Sequence, residues 1–386
     1  MGQPGSAQDA AARGLESKGF PVAVIGIDLF SGAGGMSLGA EWAGVNVKLA
    51  LELDPSAFRT YARNHPKCLT LRADAQSVFD IRWSTDPAET VLFGGPPCQG
   101  FSTSNQRTRT KDNDKNWLYQ AFISLVRSVR PAWVVFENVR GILETEGGMF
   151  ATEVEQDLGK LGYRTSSGLL NAAGFGVPQI RSRFFIIARH GKAAPPLPKP
   201  KSVRRVVNVS DALHDLPDLE IGASTSVLPY VRPAESAYAK KLRGELEICS
   251  GHLVSTNAPY VIDRYSSIPQ GGNWEDIPEH LMSNYADRTR CHTGIYRRLS
   301  LDAPSVVIGN FRKNMLIHPT ANRGLSVREA ARLQSFPDNF VFEGSIGFQQ
   351  QQVGNAVPPL LAQAVFETVV AAHRADRKGS RSKMTA

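Results

Sequence analysis

The sequence predicts an α/β protein: a mostly parallel sheet with helices on both faces, joined to a second, smaller and irregular domain. Three observations predict it. Short apolar runs alternate with helical patterns through the first half, which is the signature of βαβ units. Glycine- and proline-rich turns fall where predicted strands end. After a proline-rich stretch at 193–201 the periodicity fades into turn residues. The length of 386 residues suits about two domains. A hydrophobic content of 42%, with 18 Phe and 5 Trp, is enough to bury a core and excludes wholesale disorder.

The elements follow in order. Residues 1–20 are small and polar and read as a flexible tail. Val22, Val24, Ile25 and Ile27 form a nearly continuous apolar run, suited to a strand buried on both faces. The turn SGAGG leads into a helix, VKLALELD is a second strand, and PSAFRTYARNHP is a helix opened by proline. VLFGG (91–95) and WVVFENV (133–139) are strands around an amphipathic helix at 118–131. FATEVEQDLGKLGY reads as a helix and RFFIIARHG as a strand. The catalytic and cofactor-binding domain is therefore placed at 21–190 and the smaller domain at 191–345. In the latter, Ser326 and Glu329 have capping-box spacing. A long apolar helix after Pro358-Pro359 returns over 346–375 to the first domain, and 376–386 is a basic tail.

Lys plus Arg number 44 against 36 Asp plus Glu, a net charge of +8, which favours an anionic partner such as nucleic acid. Four scattered cysteines exclude a disulfide framework. Cys249 with His252, and Cys291 with His292, lack the paired spacing of structural zinc sites, so no metal is expected. The N-terminus has no signal-peptide core, and no window approaches 18 consecutive apolar residues. The expectation is a cytoplasmic protein.

Four motifs carry chemistry. DLFSGAGGMSLG (28–39) follows a strand and opens a helix, and its glycines let a ligand approach the backbone. Such a turn is often only a tight connection. Here, however, the next strand ends in Glu52 about 20 residues on, where an acidic side chain accepts from ribose hydroxyls. In GGPPCQGFS (94–102), Cys98 sits in a turn between prolines and a glycine, poor ground for core packing, so a nucleophile is the better reading. Glu137 ends an apolar strand, where burial raises a carboxyl's pKa and readies it to donate a proton. In QIRSR (179–183), Gln179, Arg181 and Arg183 alternate and share one strand face, an arrangement that awaits an anion or a polar base edge.

With RxLSVREAARLQSFP (323–337) and QVGNAVPP (352–359) added, these motifs stand in the order of the bacterial DNA (cytosine-5) methyltransferases, and the chain resembles that family from residue 28 to 359. The resemblance implies a Rossmann-like S-adenosylmethionine-dependent methyltransferase fold with a target-recognition domain. It implies Cys98 as the nucleophile, Glu137 as the proton donor to cytosine N3, Arg183 at cytosine O2 and Arg181 as its support, with Asn138 orienting the Pro-Cys loop. The cofactor S-adenosylmethionine would be held by Phe30, Ser31, Gly32, Gly34, Gly35, Glu52, Leu53, Asp74, Ala75, Pro97, Leu118, Asn355 and Ala356. Leu53 stands where the family often has a larger aromatic, and Ala75 where it has a β-branched residue. Duplex DNA would be met by Gln99, Ser102, Arg107 and Arg109 in and after the nucleophile loop, and by Arg297 and Arg312 in the recognition region. Either a restriction–modification system, with a cognate endonuclease acting on the same site, or an orphan methylation system, together with a monomeric state, completes the expectation.

Three rival readings are open at this level. An RNA cytosine-5 methyltransferase could use the same scaffold, but the long insertion suits duplex reading. A silent DNA-binding module would not need Cys98, Glu137 and Arg183. A nicotinamide oxidoreductase leaves Pro-Cys-Gln and Glu-Asn-Val unexplained.

Overall fold

A computed structural model describes residues 24–77, 85–97, 118–200, 205–285, 294–309, 311–313 and 315–384. Its centre is a seven-stranded sheet: β1 (Ile25–Leu29), β2 (Asn46–Leu51), β3 (Leu69–Leu71), β4 (Thr90–Gly94), β5 (Trp133–Val139), β6 (Tyr163–Asn171) and β7 (Ser182–His190), in spatial order β3-β2-β1-β4-β5-β7-β6. The first five run parallel, and β7 runs antiparallel to both neighbours. The sheet is thus the expected Rossmann-like arrangement. Strand order reverses between β1 and β4, the switch point at which such sheets hold ligands outside their carboxyl ends. Leu29 lies between Leu51 and Gly94, and Gly94 lies opposite Phe136, so β1, β2 and β4 end at one level and β5 runs three residues beyond it to Val139.

Helices cover both faces. α1 (Gly35–Trp42), α2 (Pro55–Asn64), α3 (Leu118–Val129) and α4 (Met149–Lys160) follow the strands as their sequence patterns predict. Asp54 caps α2, its Oδ1 accepting from the N–H groups of Ser56 (2.9 Å) and Ala57 (2.8 Å). One buried cluster joins Ile27, Leu29 and Phe136 to Phe122, Val126 and Val154 of α3 and α4. On the other face, Phe93, Val135 and Ile187 pack against Leu361, Val365, Phe366 and Val369 of the C-terminal helix.

The second region holds α5 (Val209–Leu213), α6 (Ala237–Arg243), α7 (Pro259–Ser266), α8 (Val327–Leu333) and a two-residue pair, β8 (Leu228–Pro229) with β9 (Ile248–Cys249). The capping box forms as expected at α8: Glu329 N–H donates to Ser326 Oγ (3.1 Å) and Ser326 N–H to Glu329 Oε2 (2.8 Å). What replaces periodicity here is buried arginine. Arg332 uses all five N–H donors, on Asp338 Oδ1 (2.6 Å) and Oδ2 (2.5 Å), Asp215 Oδ1 (2.9 Å) and Oδ2 (3.1 Å), and the Ala212 carbonyl (2.9 Å). A separate small cluster of Val261, Tyr265, Ile268, Tyr296 and Ile317 is threaded by Arg298, which also spends five bonds internally.

The chain returns through α9 (Ile346–Asn355) and α10 (Pro359–Met384). These helices over 346–377 are long and apolar enough to cross a membrane by length and composition alone, but 61% of the relevant window is buried inside the molecule. They are core helices, with α10 packed on α1 and the sheet. The segment 376–384, expected as a tail, continues α10 as helix. Arg377 and His373 of that helix meet Glu89, and Asp376 meets Arg189, which ties it to the amino-terminal edge of the sheet. The proline-rich stretch is no free linker: Leu197 packs on the second cluster, and Pro195 and Pro198 line a groove with Phe175 and Ala364.

Candidate active site

The carboxyl ends of β1, β2, β4 and β5 meet the amino-terminal end of β7. β7 is reversed, so its first residues come back to where β5 finishes. Arg183 lies opposite Val139, and Glu137 opposite Phe185, so the two side chains are diagonal neighbours on one face. Arg183 Nε donates to Glu137 Oε1 at 3.0 Å, with both side chains about nine-tenths buried. Burial pushes the Glu137 carboxyl above its ordinary value, and the Arg183 and Arg181 charges draw it part of the way back. A group so balanced can hold a proton and remain ordered by a cation.

Glu137 lies directly against the turn that carries the expected nucleophile. A Cβ on Gly95 would collide with Glu137 Oε2, so only glycine lets the carboxylate lie there. Asn138 Nδ2 donates to the Pro96 carbonyl at 3.3 Å, and its Oδ1 accepts from Val139 N–H at 2.8 Å. Asn138 thus holds the Pro-Pro step, as expected. Cys98, Gln99, Ser102, Arg107 and Arg109 lie outside the described residues. Pro97, the last described residue before Cys98, is exposed at the mouth of the site.

Arg181 departs from a substrate-touching role. It is wholly buried, and its Nη1 and Nη2 donate to the carbonyls of Ile308 (3.1 Å), Gly354 (2.8 Å) and Ala356 (3.0 Å). It supports the network by clamping the returning C-terminal segment to the catalytic strand. Gln179 acts likewise: its Oε1 accepts from Ile308 N–H (2.9 Å), and its Nε2 donates to Gln334 Oε1 (3.1 Å). The three alternating side chains do share one buried side, with Ile180 exposed between them. Two of the three, however, are consumed by the protein itself.

The cofactor-side residues surround the glycine turn. Phe30 adopts φ 59° and Gly32 φ 55°, a left-handed reversal that costs little for glycine and more for Phe30. Gly32 N–H donates to Glu52 Oε2 and Asp54 N–H to Glu52 Oε1, both at 2.7 Å. Each carboxylate oxygen keeps a lone pair for a further donor. Burial raises the pKa of Glu52, and the N–H groups of Asp54 and Gly32 oppose that. A Cβ on Gly32 would meet nothing within 4 Å, so space stands open there. Ser31 Oγ is buried without a hydrogen-bond partner. Leu53, 58% exposed, offers an apolar surface beside Glu52. Open space at a glycine, an orphaned hydroxyl, a diol-accepting carboxylate and an exposed apolar side chain fit a nucleoside-bearing cofactor.

The rest of that set follows in sequence order. Ala75 is buried in the first cluster, Asp74 accepts from Gln76 N–H (2.9 Å), Leu118 opens α3 half-buried, and Asn355 ends α9 exposed. Ala356, its successor, is tied to Arg181 through its carbonyl. In the second region Arg312 is exposed and Arg297 half-buried. Cys249 Sγ and His252 Nε2 meet at 3.0 Å in the interior. Among the described residues no set of three metal-ligating groups accompanies them, and Cys291 and His292 lie outside those residues.

Residues 24–371 match the C-5 cytosine-specific DNA methylase family. The Type II methyltransferase M1.HphI of Haemophilus parahaemolyticus is 38% identical over 349 residues, covering 89% of this chain and 86% of its own. The Type II methyltransferase M.DdeI of Desulfomicrobium norvegicum is 33% identical over 370 residues, with 89% and 88% covered. Among solved structures, a DNA modification methyltransferase encoded within a prophage (E. coli) aligns with a TM-score of 0.72 at 27% identity, over 90% of this chain and 99% of that one. Spodoptera frugiperda DNMT2 shares the fold, with a TM-score of 0.56 at 13% identity over 90% and 99% of the two chains.

Proposed function

The chain belongs to the C-5 cytosine-specific DNA methylase family and is a DNA cytosine-5 methyltransferase, and from that premise we propose that it methylates C5 of a flipped-out cytosine in a specific duplex sequence, with S-adenosylmethionine as the donor and a covalent Cys98–C6 intermediate. The observation that carries this reading is the buried Glu137–Arg183 pair lying against Gly95, three residues before Cys98.

Cytosine C5 is a weak nucleophile. Addition of the Cys98 thiolate to C6 breaks the C5–C6 double bond, moves electrons through C4 toward N3 and leaves C4–C5 as an enamine whose C5 is nucleophilic. Glu137 gives its proton to N3 as that charge develops, and Arg183 stabilises the O2 edge. When bound, the cofactor supplies an electrophilic methyl group. A base, with water the simplest choice, then takes the C5 proton. The C6–S bond breaks to return the thiolate, and Glu137 recovers the N3 proton.

Glu52 would hold the ribose, and Phe30, Ser31, Gly32, Gly34 and Gly35 the turn side of the cofactor. Leu53, Asp74, Ala75, Pro97 and Leu118 would flank its base, and Asn355 and Ala356 its methionine end. A base within a duplex is beyond the reach of a thiol, so the target must leave the stack. Gln99, Ser102, Arg107 and Arg109 are assigned to the DNA strand around it, and residues 191–345, with Arg297 and Arg312, to recognition. The protein would act as a cytoplasmic monomer, either in a restriction–modification system with an endonuclease of the same specificity or as an orphan methylase.

Duplex DNA carrying 5-fluorocytosine at the target tests the chemistry. Fluorine cannot leave as a cation, so after methyl transfer the adduct should persist and run as a slow band on denaturing electrophoresis. Peptide mapping should place the link at Cys98, and Cys98→Ser should give no band. A wild-type band that survives in Cys98→Ser would overturn the mechanism.

A further inference from the structure

Beneath the glycine turn lies a set of polar side chains that the reaction does not use. Asp28 of β1 is 1% exposed, and its Oδ2 accepts from Ser37 Oγ at 2.6 Å. Tyr61 Oη donates to the same Ser37 Oγ at 2.7 Å. One turn further on, His65 Nδ1 is 3.1 Å from both oxygens of Glu41. Ser37 and Glu41 are i,i+4 neighbours on α1, and Tyr61 and His65 have the same spacing at the end of α2. The two helices are therefore stitched at two levels, and the Tyr61 and His65 rings stack at 4.3 Å.

The seam bears on the turn directly. With Nδ1 on Glu41, His65 Nε2 is buried without a hydrogen-bond partner. It faces Gly34: a Cβ at that position would collide with Nε2. Gly34 is the residue from which α1 starts, with φ 96°. α2, for its part, starts at Pro55, three residues after Glu52, whose Oε2 accepts from Gly32 N–H. The halves of the pocket are thus joined above by Glu52–Gly32 and below by the α1–α2 seam. Asp28 has no cationic partner among the described residues, and burial with Glu52 and Glu41 nearby pushes its carboxyl well above the usual range. It anchors the seam beneath the turn through Ser37.

We propose that this seam (Asp28, Ser37 and Tyr61 on one level, Glu41 and His65 on the next) is a positioning device that fixes the glycine turn and thereby sets cofactor affinity without touching the cofactor. The inference rests on the reading that S-adenosylmethionine binds at that turn. Titration calorimetry with S-adenosylhomocysteine separates the two. Binding by the wild type, abolished in Glu52→Ala, supports the reading; failure of the wild type to bind would sink the reading itself.

Given wild-type binding, Tyr61→Phe and Glu41→Ala should each weaken affinity about two- to tenfold, the worth of one hydrogen bond. KM for the cofactor should rise in step, while kcat at saturation and affinity for duplex DNA stay within about twofold, since the hydrogen bond removed acts only on the turn. Asp28→Asn keeps an oxygen for Ser37 and should retain more affinity than Asp28→Ala. The Glu41 side chain is about one-third exposed, so its variant should fold even where a buried one does not. Unchanged affinity in folded Tyr61→Phe and Glu41→Ala would refute the inference. So would kcat and DNA affinity falling in parallel with cofactor affinity, which is the mark of a merely loosened fold.

Discussion

Replacing Glu137 with Gln isolates the proton from the shape. The amide keeps an oxygen for Arg183 Nε, 3.0 Å away in the wild type, and keeps the fit against Gly95. What it loses is an acid able to deliver a proton to N3. Positioned general acids are worth about 10²–10⁴ in rate, and the near-complete burial of this carboxyl argues for the upper half of that range. Single-turnover methyl transfer should therefore fall about 10³-fold. Cofactor affinity should be unchanged, since Glu137 lies on the base side of the site. The pH profile adds a second readout. The carboxyl is raised above its ordinary 4.5 by burial, so its protonated fraction, and with it kcat, should fall as pH rises through the raised value, and the Gln variant should lack that limb. Stability follows the same sign. The protonated carboxyl favours the fold fully below 4.5, and that contribution fades as pH rises through the raised value. Relative to wild type, Glu137→Gln should thus gain stability with rising pH, less the cost of an Arg183 without its counter-ion. Tritiated methyl transfer and thermal melts from pH 5 to 9 would measure both. A Gln variant within tenfold of wild type, or one that keeps the same pH limb, would refute the assignment.

Three further outcomes are expected. Arg332→Met leaves Asp215 and Asp338 buried without their shared cation, and should cost about 3–5 kcal/mol in denaturant unfolding; a loss under 1 kcal/mol would mean that Arg243 and Arg328 compensate. DNA affinity should fall steeply with salt, and neutralising Arg107 and Arg109 together should flatten the log–log slope by about one for each phosphate left without its cation; an unchanged slope would remove that loop from the backbone. Exchanging the recognition region for that of a relative with another specificity should move the methylated site, as read by bisulfite sequencing, since base contacts specify and phosphate contacts only position; a folded, active hybrid that keeps its old site would show the boundary to be misplaced.

The motifs assigned to the reaction were readable because their residue types, in that order and at strand ends, have few other uses. Gly32, Glu52 and Glu137 fall at strand ends, where a parallel sheet holds ligands, and the structure brings those ends side by side. The supports were not readable. β6, with the sequence YRTSSGLLN, is an edge strand too polar to stand out, so the antiparallel pair that returns Arg183 to Glu137 had no periodic signal. α9 is glutamine-rich and shows no apolar face in the sequence. Arg181 was legible as part of a motif but not as a clamp, because its partners are backbone carbonyls more than 120 residues away. Arg297 stood out in the sequence as a DNA contact, while its neighbour Arg298 is the one the fold consumes. The α1–α2 seam left one trace: paired polar side chains four apart on consecutive helices, a spacing that any solvated helix face also shows.

Arg181 also explains how one sheet tolerates a long excursion of chain. The excursion leaves after β7 and returns at α9, and the sheet is complete before it begins. The returning segment must nevertheless be placed accurately, since Asn355 is assigned to the cofactor and lies between two residues whose carbonyls Arg181 holds. Only a planar guanidinium two residues from Arg183 can bridge Gly354, Ala356 and Ile308 at once while adding positive charge beside Glu137. Lysine in that position would keep the charge but present its donors from a single atom, and it could not span carbonyls on two separate segments. The strand that carries Arg183 and the returning C-terminal segment are thereby locked together at Arg181. The excursion between them, residues 191–345, can then differ in sequence provided that it delivers Ile308 to the same clamp.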